Sequence, residues 1–249
     1  MTKYSENDIF IVTGATSGIG SAVARELNQL GAIVIAIGRN SKKLDFLKKE
    51  CSNPENLKCE KKDLLKITDL DRWVLSLSKK YGKLRGAILC AGIQQIIPIS
   101  ALKSIEKSKE LFEINYFSSI QFAKGFTDRR ANIGAGSSLV FLSSIASIRG
   151  NPGIIGYSAS KGAINSAVQS LALEVASRGI RVNSILPGFL ITEMTNKLYD
   201  QKFIDNINQL YPLGIGSIKD VVGPILFLLS EDSRWITGSH LVVDGGGSL

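Results

Sequence analysis

The stretch that decides the fold is Ile9-Phe-Ile-Val-Thr-Gly-Ala-Thr-Ser-Gly-Ile-Gly20, close to the start of the chain. Residues 9–12 are all apolar and predict a short buried strand. Gly14, Gly18 and Gly20 follow, and after them apolar residues recur at helical spacing. Glycines between a strand and a helix let the backbone approach a pyrophosphate, which then rests on the helix N-terminus. This order of elements therefore predicts a dinucleotide site, although three residues separate the first two glycines where the common motif has one.

The same alternation of strand and helix continues along the whole chain. Predicted strands cover residues 9–12, 33–37, 57–60, 87–90, 139–143, 181–186 and 240–243. Helical patterns lie near residues 19–30, 41–51, 68–81, 104–129, 157–178 and 219–229. Such alternation predicts a parallel sheet covered by helices on both faces, with ligands at the carboxyl ends of the strands. Because no repeat or linker interrupts it, we predict one α/β domain over residues 1–249, a doubly wound sheet of about seven strands.

A second group of residues indicates proton chemistry. Tyr157 and Lys161 are four residues apart at the start of a helical pattern, and therefore lie on the same face. An ammonium beside a phenol favours the phenolate, so we expect Lys161 to lower the pKa of Tyr157. Such a tyrosine can exchange a proton with a substrate oxygen. Ser144, thirteen residues earlier, follows a predicted strand, where its hydroxyl either orients that oxygen or satisfies local backbone.

Composition excludes several classes of protein. The 249 residues include 30 Lys and Arg against 22 Asp and Glu, a net charge of +8. The lysines are scattered in pairs such as Lys61-Lys62, which predicts a solvated surface and no nucleic-acid binding. An anionic cofactor or substrate explains the positive net charge more simply. No apolar run approaches the roughly 20 residues that span a bilayer, and no signal peptide is evident, so no membrane association is expected. Three cysteines without metal-ligand spacing predict reduced thiols in the cytoplasm and no metal site.

In combination, these motifs resemble the short-chain dehydrogenase/reductase family of the single-domain type, which has a Rossmann fold. The resemblance runs over residues 9–246, and residues 174–195 look most like the 3-oxoacyl-acyl-carrier-protein reductases. The motifs that carry it are Thr13-Gly14-x-x-x-Gly18-x-Gly20, Asp63-Leu64, Ala91-Gly92, Asn115, Ser144, Tyr157-x-x-x-Lys161, Pro187-Gly188-x-x-x-Thr192 and Val242-Val-Asp-Gly-Gly246. The chain departs from the family at Leu89-Cys90, where two asparagines are common, and at Ile215, where those reductases often carry arginine.

The resemblance implies roles for individual residues. The catalytic set would be Asn115, Ser144, Tyr157 and Lys161, with Asn115 helping to hold a water that links Lys161 to solvent. The cofactor-binding set would be Gly14, Thr16, Ser17, Gly18, Ile19, Gly20, Arg39, Asp63, Leu64, Ala91, Gly92, Tyr157, Lys161, Pro187, Gly188 and Thr192. Within it, Asp63 resembles the aspartate that contacts adenine, although a strand-end turn would also explain an acid there.

The end of the second predicted strand indicates which nicotinamide cofactor is preferred. A carboxylate there would bind the ribose 2′-hydroxyl and repel a 2′-phosphate, but Gly38 stands at that place and Arg39 follows it. A guanidinium binds phosphate through paired hydrogen bonds. We therefore predict NADP(H) over NAD(H), with two observations against it: Arg39 also suits a solvated helix start, and Ser17 stands where many phosphate-preferring relatives have a basic residue.

The predicted function is an NADP(H)-dependent oxidoreductase that moves hydride between nicotinamide and a carbonyl or alcohol carbon of a small molecule. A 3-oxoacyl thioester is the first substrate hypothesis, sugar or other small-alcohol dehydrogenation is the second, and a non-catalytic nucleotide sensor is a third. Residues 93–99, 145–155 and 189–213 would set the substrate, the last as a mobile lid. Arg178 resembles an arginine that contacts acyl-carrier protein, and the wide apolar face of residues 104–129 predicts a homotetramer.

Overall fold

Seven strands form one sheet in which every neighbouring pair is parallel. The computed structural model describes residues 4–5, 7–65, 67–192, 195 and 198–249. The strands are β1 (Ile9–Thr13), β2 (Ile33–Gly38), β3 (Leu57–Lys61), β4 (Leu84–Leu89), β5 (Ser138–Leu142), β6 (Arg181–Pro187) and β7 (His240–Val243). Their order across the sheet is β3-β2-β1-β4-β5-β6-β7. The predicted doubly wound parallel sheet is confirmed.

Helices cover both faces of this sheet. The longer ones are α1 (Gly18–Gln29), α2 (Ser41–Glu50), α3 (Leu70–Tyr81), α4 (Ser104–Phe112), α5 (Ser118–Phe126), α6 (Ile155–Ala176), α7 (Gln201–Leu210) and α8 (Ile218–Leu229). One buried apolar cluster joins α1, α2 and α8 to the sheet, and a second joins α3, α5 and α6 to its other face. The helix predicted near residues 104–129 is present from Ser104 to Phe126, but a π-helical turn, Glu113–Phe117, separates α4 from α5.

Strand β1 shows how side chains build the two layers. Alternate strand residues point to opposite faces, so Phe10 and Val12 enter one cluster while Ile9 and Ile11 enter the other. Ile11 is completely buried, which stabilises the fold by roughly 1.5–3 kcal/mol relative to leaving such a side chain exposed. Strand β4 begins three residues before its predicted start, because Arg85 and Gly86 interrupt the apolar run that the prediction followed.

The order of the strands fixes where a ligand can bind. After β3 the chain returns to the other side of β1 and forms β4, so the connections leaving β1 and β4 diverge and open a crevice at their carboxyl ends. The Ala91 N–H donates a 3.1 Å hydrogen bond to Thr13 Oγ1, which ties the two strand ends together below the crevice. In the described part of the chain, no helix is long and apolar enough to span a membrane.

Candidate active site

The glycine-rich turn brings the start of α1 very close to the end of β1. A Cβ atom placed on Gly20 would lie 2.4 Å from the carbonyl oxygen of Gly14, so only glycine fits there. Ser17 precedes α1 with an extended backbone, its side chain caps no helix N–H, and the first turn holds no acidic residue. The N–H groups at the start of α1 are therefore left to an external anion, which suits a pyrophosphate.

A cleft of about 700 Å³ opens above this turn. It is lined by all of the residues predicted to bind cofactor, from Gly14 to Thr192, and by three of the four predicted catalytic residues. The exception is Asn115, which is completely buried behind the wall of the cleft. The topology thus brings residues that are far apart in sequence into one site. The glycine turn lies toward one end of the cleft and Tyr157 toward the other.

Tyr157 and Ser144 face each other inside the cleft, because α6 begins beside the end of β5. A side-chain hydrogen bond with Ser144 lowers the pKa of Tyr157, but burial is the larger effect and raises that pKa to about 12. The expected lowering of this pKa is wrong, because burial outweighs the effect of the Lys161 ammonium, which lies 5.8 Å from the centroid of the Tyr157 ring. At neutral pH Tyr157 is therefore a phenol, ready to donate a proton.

Lys161 is 5% exposed, and burial lowers the pKa of its ammonium to about 8. Its Nζ atom donates a 2.7 Å hydrogen bond to the main-chain carbonyl of Leu142, the last residue of β5. The Ser143 hydroxyl donates to the Lys161 carbonyl at 3.1 Å, so this neighbour of Ser144 is used to join β5 to α6. These two hydrogen bonds hold the start of α6 next to β5, the strand that leads to Ser144.

The loop that holds Ser144 is itself fixed by hydrogen bonds. Ser144 Oγ accepts from the Ala146 N–H at 3.1 Å, and Ser147 Oγ donates to the Ser144 carbonyl at 2.6 Å. Asn165, on α6, donates to Ser147 Oγ at 2.8 Å. The sole histidine, His240, lies beyond this group with Nδ1 2.7 Å from Ser184 Oγ.

Asn115 lies in the π-helical turn and connects three elements through its side-chain amide. Its Oδ1 accepts from the Ile93 N–H at 2.9 Å, and its Nδ2 donates to the Ile93 carbonyl at 3.0 Å and to Ser160 Oγ at 3.1 Å. A Cβ atom on Gly92 would lie 3.0 Å from Asn115 Oδ1, a tight contact, so glycine suits the place where the loop after β4 passes this amide. Asn115 thus braces that loop; its part in a water relay stays a prediction.

This brace compensates for the departure at Leu89-Cys90. Cys90 lines the cleft close to Lys161, and burial raises the pKa of its thiol to about 12, so the thiol is unreactive at neutral pH. Two hydrogen bonds hold the loop in place: the Ala91 N–H donates to the Thr13 side chain, and the Ile93 N–H donates to the Asn115 side chain. The two amides found in many relatives are therefore not required to fix the backbone here.

The far end of the cleft, beyond the glycine turn, is basic. Arg39 lines it from the end of β2, while Asn40 caps α2 by accepting from the Lys43 N–H at 3.1 Å. Lys62 also lines the cleft, with a side chain only 21% exposed. The prediction that the Lys61-Lys62 pair is scattered surface charge is therefore wrong for Lys62. The position of Lys62 in the sequence, directly after a strand and before Asp63, was the signal that could have placed it in the cleft.

Asp63 and Thr192 reach the cleft but also stabilise their own loops. Asp63 Oδ1 accepts from the Leu65 N–H at 3.2 Å, as a strand-end turn requires. The Thr192 N–H donates to Thr195 Oγ1 at 2.8 Å, and Thr195 Oγ1 donates to the Leu190 carbonyl at 2.7 Å. Both side chains still line the cleft beside the residues predicted to bind cofactor.

Three segments that follow strands form the end of the cleft beyond Tyr157. They fall within the ranges expected to set the substrate, except that residues 193, 194, 196 and 197 of the predicted lid lie outside the described residues. The lining side chains there are apolar or neutral: Ile93, Gln94, Ile96, Ile145, Ala146, Asn151, Pro152, Ile154, Phe189, Leu190, Thr195, Tyr199, Phe203, Ile207 and Tyr211. Sequence reasoning located these segments but identified none of these side chains.

Comparison with known proteins defines the class of this chain. The sequence model of the family described as enoyl-(acyl carrier protein) reductase matches residues 14–248. A 3-oxoacyl-[acyl-carrier-protein] reductase of Rickettsia bellii is 33% identical over 242 residues, covering 95% of each chain. One of Thermotoga maritima is 34% identical over 250 residues, covering 97% of this chain and 98% of the relative. A gluconate 5-dehydrogenase of Gluconobacter oxydans is 31% identical over 241 residues, covering 95% and 93%.

Solved structures agree with this assignment. A short-chain type dehydrogenase/reductase from Mycobacterium ulcerans superposes with a TM-score of 0.90 at 28% identity, over 99% of this chain and 91% of the other. A short-chain dehydrogenase/reductase of the glucose/ribitol dehydrogenase type from Brucella melitensis gives a TM-score of 0.90 at 28% identity over 99% of both chains. The protein is therefore a pyridine-nucleotide-dependent oxidoreductase. It belongs to the short-chain dehydrogenase/reductase family.

Proposed function

We propose that this enzyme reduces the ketone of a 3-oxoacyl thioester with NADPH. The observation that carries the proposal is the pairing of Ser144 with Tyr157 inside the cleft, between the glycine-rich turn and an apolar substrate end. The relatives named as 3-oxoacyl-[acyl-carrier-protein] reductases, of 33% and 34% identity, support the same substrate class.

The chemistry assigns one task to each residue. When bound in the cleft, a nicotinamide cofactor would supply the hydride that the carbonyl carbon accepts. The Tyr157 phenol gives its proton to the carbonyl oxygen as the carbon–oxygen π bond breaks, and Ser144 holds that oxygen by a hydrogen bond. The phenolate that remains is stabilised by the Ser144 hydroxyl and by the positive charge of Lys161. A phenol with a pKa of about 12 is protonated before the reaction and can therefore act as the proton donor.

We further propose NADPH over NADH, because two cations flank the place of the adenosine 2′-position. Arg39 lies at the end of β2, and Lys62 lies at the end of the neighbouring strand β3. The Lys62 ammonium lies 3.4 Å from an Asp69 carboxylate oxygen and 5.3 Å from the centroid of the Trp73 ring. These contacts fix the position of the ammonium and leave its side chain partly exposed. A 2′-phosphate would meet a guanidinium and an ammonium there.

The substrate end of the cleft favours an acyl chain over a sugar acid. Gluconate carries a carboxylate and several hydroxyls, which need cations and hydrogen-bond partners when they are buried. Of the described residues that line this end, none is Lys, Arg, Asp or Glu, and most are aliphatic or aromatic. The sugar dehydrogenase alternative therefore fits less well, although one relative is a gluconate 5-dehydrogenase. A non-catalytic nucleotide sensor would not need Ser144, Tyr157 and Lys161 together in one cleft.

An acyl carrier is the proposed partner, and a basic cluster offers it a contact. Lys83, Arg129 and Arg178 surround a cavity of about 300 Å³ on the surface. Arg178 also donates to the Thr127 carbonyl, which fixes its guanidinium in the cluster. Acidic carriers are attracted by such a surface. Because the cluster lies at the amino ends of β4 and β6, opposite the catalytic edge, its role in binding is separable from catalysis.

A homotetramer is proposed because two separate surfaces expose large apolar side chains. On the surface formed by α4, the π-helical turn and α6, Ile105 is 62% exposed, Phe117 45% and Leu173 81%. Near β7, Trp235 is 97% and Val242 39% exposed. Apolar patches of this kind mark interfaces, and two distinct self-complementary patches build a tetramer. The three free cysteines suit the reducing cytoplasm, the proposed location.

The test is the rate of cofactor oxidation with NADPH or NADH and a panel of ketones. The panel contains the N-acetylcysteamine thioester of 3-oxobutanoate, 5-oxogluconate and an aromatic ketone. We expect the highest kcat/KM for the thioester with NADPH. A higher kcat/KM for 5-oxogluconate than for the thioester would indicate that the substrate is a sugar acid. Nucleotide binding without turnover of any thioester would contradict the proposed reduction.

A further inference from the structure

A hydrogen bond crosses the substrate end of the cleft between two residues that are 105 positions apart. Gln94 Nε2, on the loop after β4, donates to the Tyr199 hydroxyl at 3.0 Å, and Tyr199 lies just before α7. Both side chains are partly buried and line the cleft. This bond joins the loop braced by Asn115 to the chain that follows β6, so it closes the cleft on that side.

Aromatic rings extend this contact into a wall. The Tyr199 ring stacks on Phe203, with centroids 4.3 Å apart and an interplanar angle of 14°. Phe189 meets the edge of Tyr199 at 5.4 Å and lies 6.1 Å from Phe203. Three rings packed on one another form a rigid surface, and the hydrogen bond from Gln94 fixes the ring nearest to the loop after β4.

The wall lies close to the reacting groups. Tyr199 is near enough to Tyr157 for its charge, when ionised, to affect the pKa of the catalytic phenol. Burial raises the pKa of Tyr199 itself, so this hydroxyl is neutral at physiological pH. A ketone held by Ser144 and Tyr157 therefore has its remaining chain directed among these rings and the aliphatic side chains beside them.

We propose that Tyr199, fixed by Gln94, determines the length of the acyl chain that the enzyme accepts. This inference rests on the proposed reduction of 3-oxoacyl thioesters. Tyr199 with its stacked partner Phe203 bounds the space beyond the reacting carbonyl, so a short chain fits against the wall and a longer chain collides with it. Each methylene that can be buried improves binding, so removal of the wall benefits long chains more than short ones.

The experiment measures kcat/KM for N-acetylcysteamine thioesters of 3-oxobutanoate and 3-oxodecanoate. In the Tyr199→Ala variant, we expect the ratio of the long to the short substrate to rise roughly tenfold relative to the unaltered enzyme, because several methylenes gain a place. Phe46→Ala, on an exposed side chain of α2 outside the cleft, serves as the matched control and should leave the ratio unchanged. An unchanged ratio in Tyr199→Ala would overturn the proposal.

A double-mutant cycle tests the part played by the hydrogen bond. Gln94→Leu and Tyr199→Phe each remove the same bond, so both should shift the ratio in the same direction, and the double variant should shift it no further. Additive shifts would show that the two residues act separately and would contradict the proposal. Unchanged NADPH binding, followed by fluorescence, verifies that each variant is folded.

A readout without turnover separates this inference from the proposed reduction. If the unaltered enzyme reduces none of the thioesters, the proposed function fails, and the wall is then tested by hydrogen exchange. Loss of the Gln94–Tyr199 bond should accelerate exchange of the amides of α7 in both Gln94→Leu and Tyr199→Phe. Exchange as slow as in the unaltered protein would show that this bond does not fix the wall.

Discussion

Lys161 binds the main-chain carbonyl of Leu142 at 2.7 Å, and this bond joins the catalytic helix to the strand that leads to Ser144. The ammonium is thus part of the framework that sets Tyr157 opposite Ser144. It also brings a positive charge into a place that is almost closed to water, which lowers its pKa to about 8. Position and charge of this lysine are therefore coupled, and the coupling has a measurable consequence.

We expect kcat/KM for carbonyl reduction to fall as the pH rises through about 8. Burial lowers the pKa of Lys161 from its ordinary value, so the ammonium is present below pH 8 and is lost above it, whereas Tyr157, with a pKa of about 12, stays protonated. The measurement is the pH dependence of kcat/KM between pH 6 and roughly pH 10. Lys161→Arg keeps its charge and should lack the decline near pH 8. If this variant does not turn over, the pH dependence of NADPH binding is compared between the variant and the unaltered enzyme instead. A flat profile in the unaltered enzyme would contradict this assignment.

The two cations at the adenosine end should control the choice of cofactor. Arg39→Asp introduces a carboxylate that repels a 2′-phosphate, and Lys62→Met removes the second charge. Each loss of a charge-assisted contact should lower kcat/KM for NADPH by about tenfold, with little effect on NADH. Lys43→Met, on α2, is the comparison for a general loss of positive charge. Equal efficiency with both cofactors in the unaltered enzyme, unaffected by these changes, would show that neither residue recognises the phosphate.

Charge reversal in the basic cluster should affect only carrier-linked substrates. We expect Arg129→Glu with Arg178→Glu to raise KM for an acyl-carrier thioester about tenfold at low salt and less at high salt, because exposed charges are screened. KM for the N-acetylcysteamine thioester should not change. Arg72→Glu on α3 with Lys49→Glu on α2, both at exposed residues, makes the same change in net charge and serves as the control. If KM rises equally for both substrates, or for neither, the cluster is not the carrier contact.

The exposed apolar surfaces should hold subunits together. Leu173→Glu places a charge on the surface that includes α6, and Trp235→Glu does so near β7. We expect light scattering to show a tetramer for the unaltered protein and dimers for each variant, because each change disrupts one type of interface. A stable monomer of the unaltered chain at micromolar concentration would refute the proposed assembly.

Local sequence patterns predicted the order of strands and helices and the motifs after β1, β4, β5 and β6, because they depend on spacing within a few residues. The π-helical turn at Asn115 could not be predicted in this way, since that amide bonds Ile93 and Ser160 from other elements. The substrate wall is a similar case: nothing near Gln94 in the sequence indicates that it meets Tyr199.

The direction of the Tyr157 pKa was predicted incorrectly for a related reason. Helical spacing places Lys161 on the same face as the tyrosine, but it does not reveal that the ammonium extends to Leu142 or that the phenol is buried. Desolvation depends on the surrounding elements and outweighs the effect of a charge at this distance. The residue types at the site were therefore predictable, whereas their protonation states required the fold.

The most direct test of the central claim is the single-turnover rate of NADPH oxidation by a 3-oxoacyl thioester in Tyr157→Phe. Tyr81→Phe is the matched control, because it removes a tyrosine hydroxyl that binds Glu60, and neither residue lines the cleft. If Tyr157 donates the proton, its variant should bind NADPH normally and react about 10²–10⁴ times more slowly, while the control reacts at the full rate. A Tyr157→Phe rate within about threefold of the unaltered enzyme, well below the loss expected for a general acid, would contradict the account.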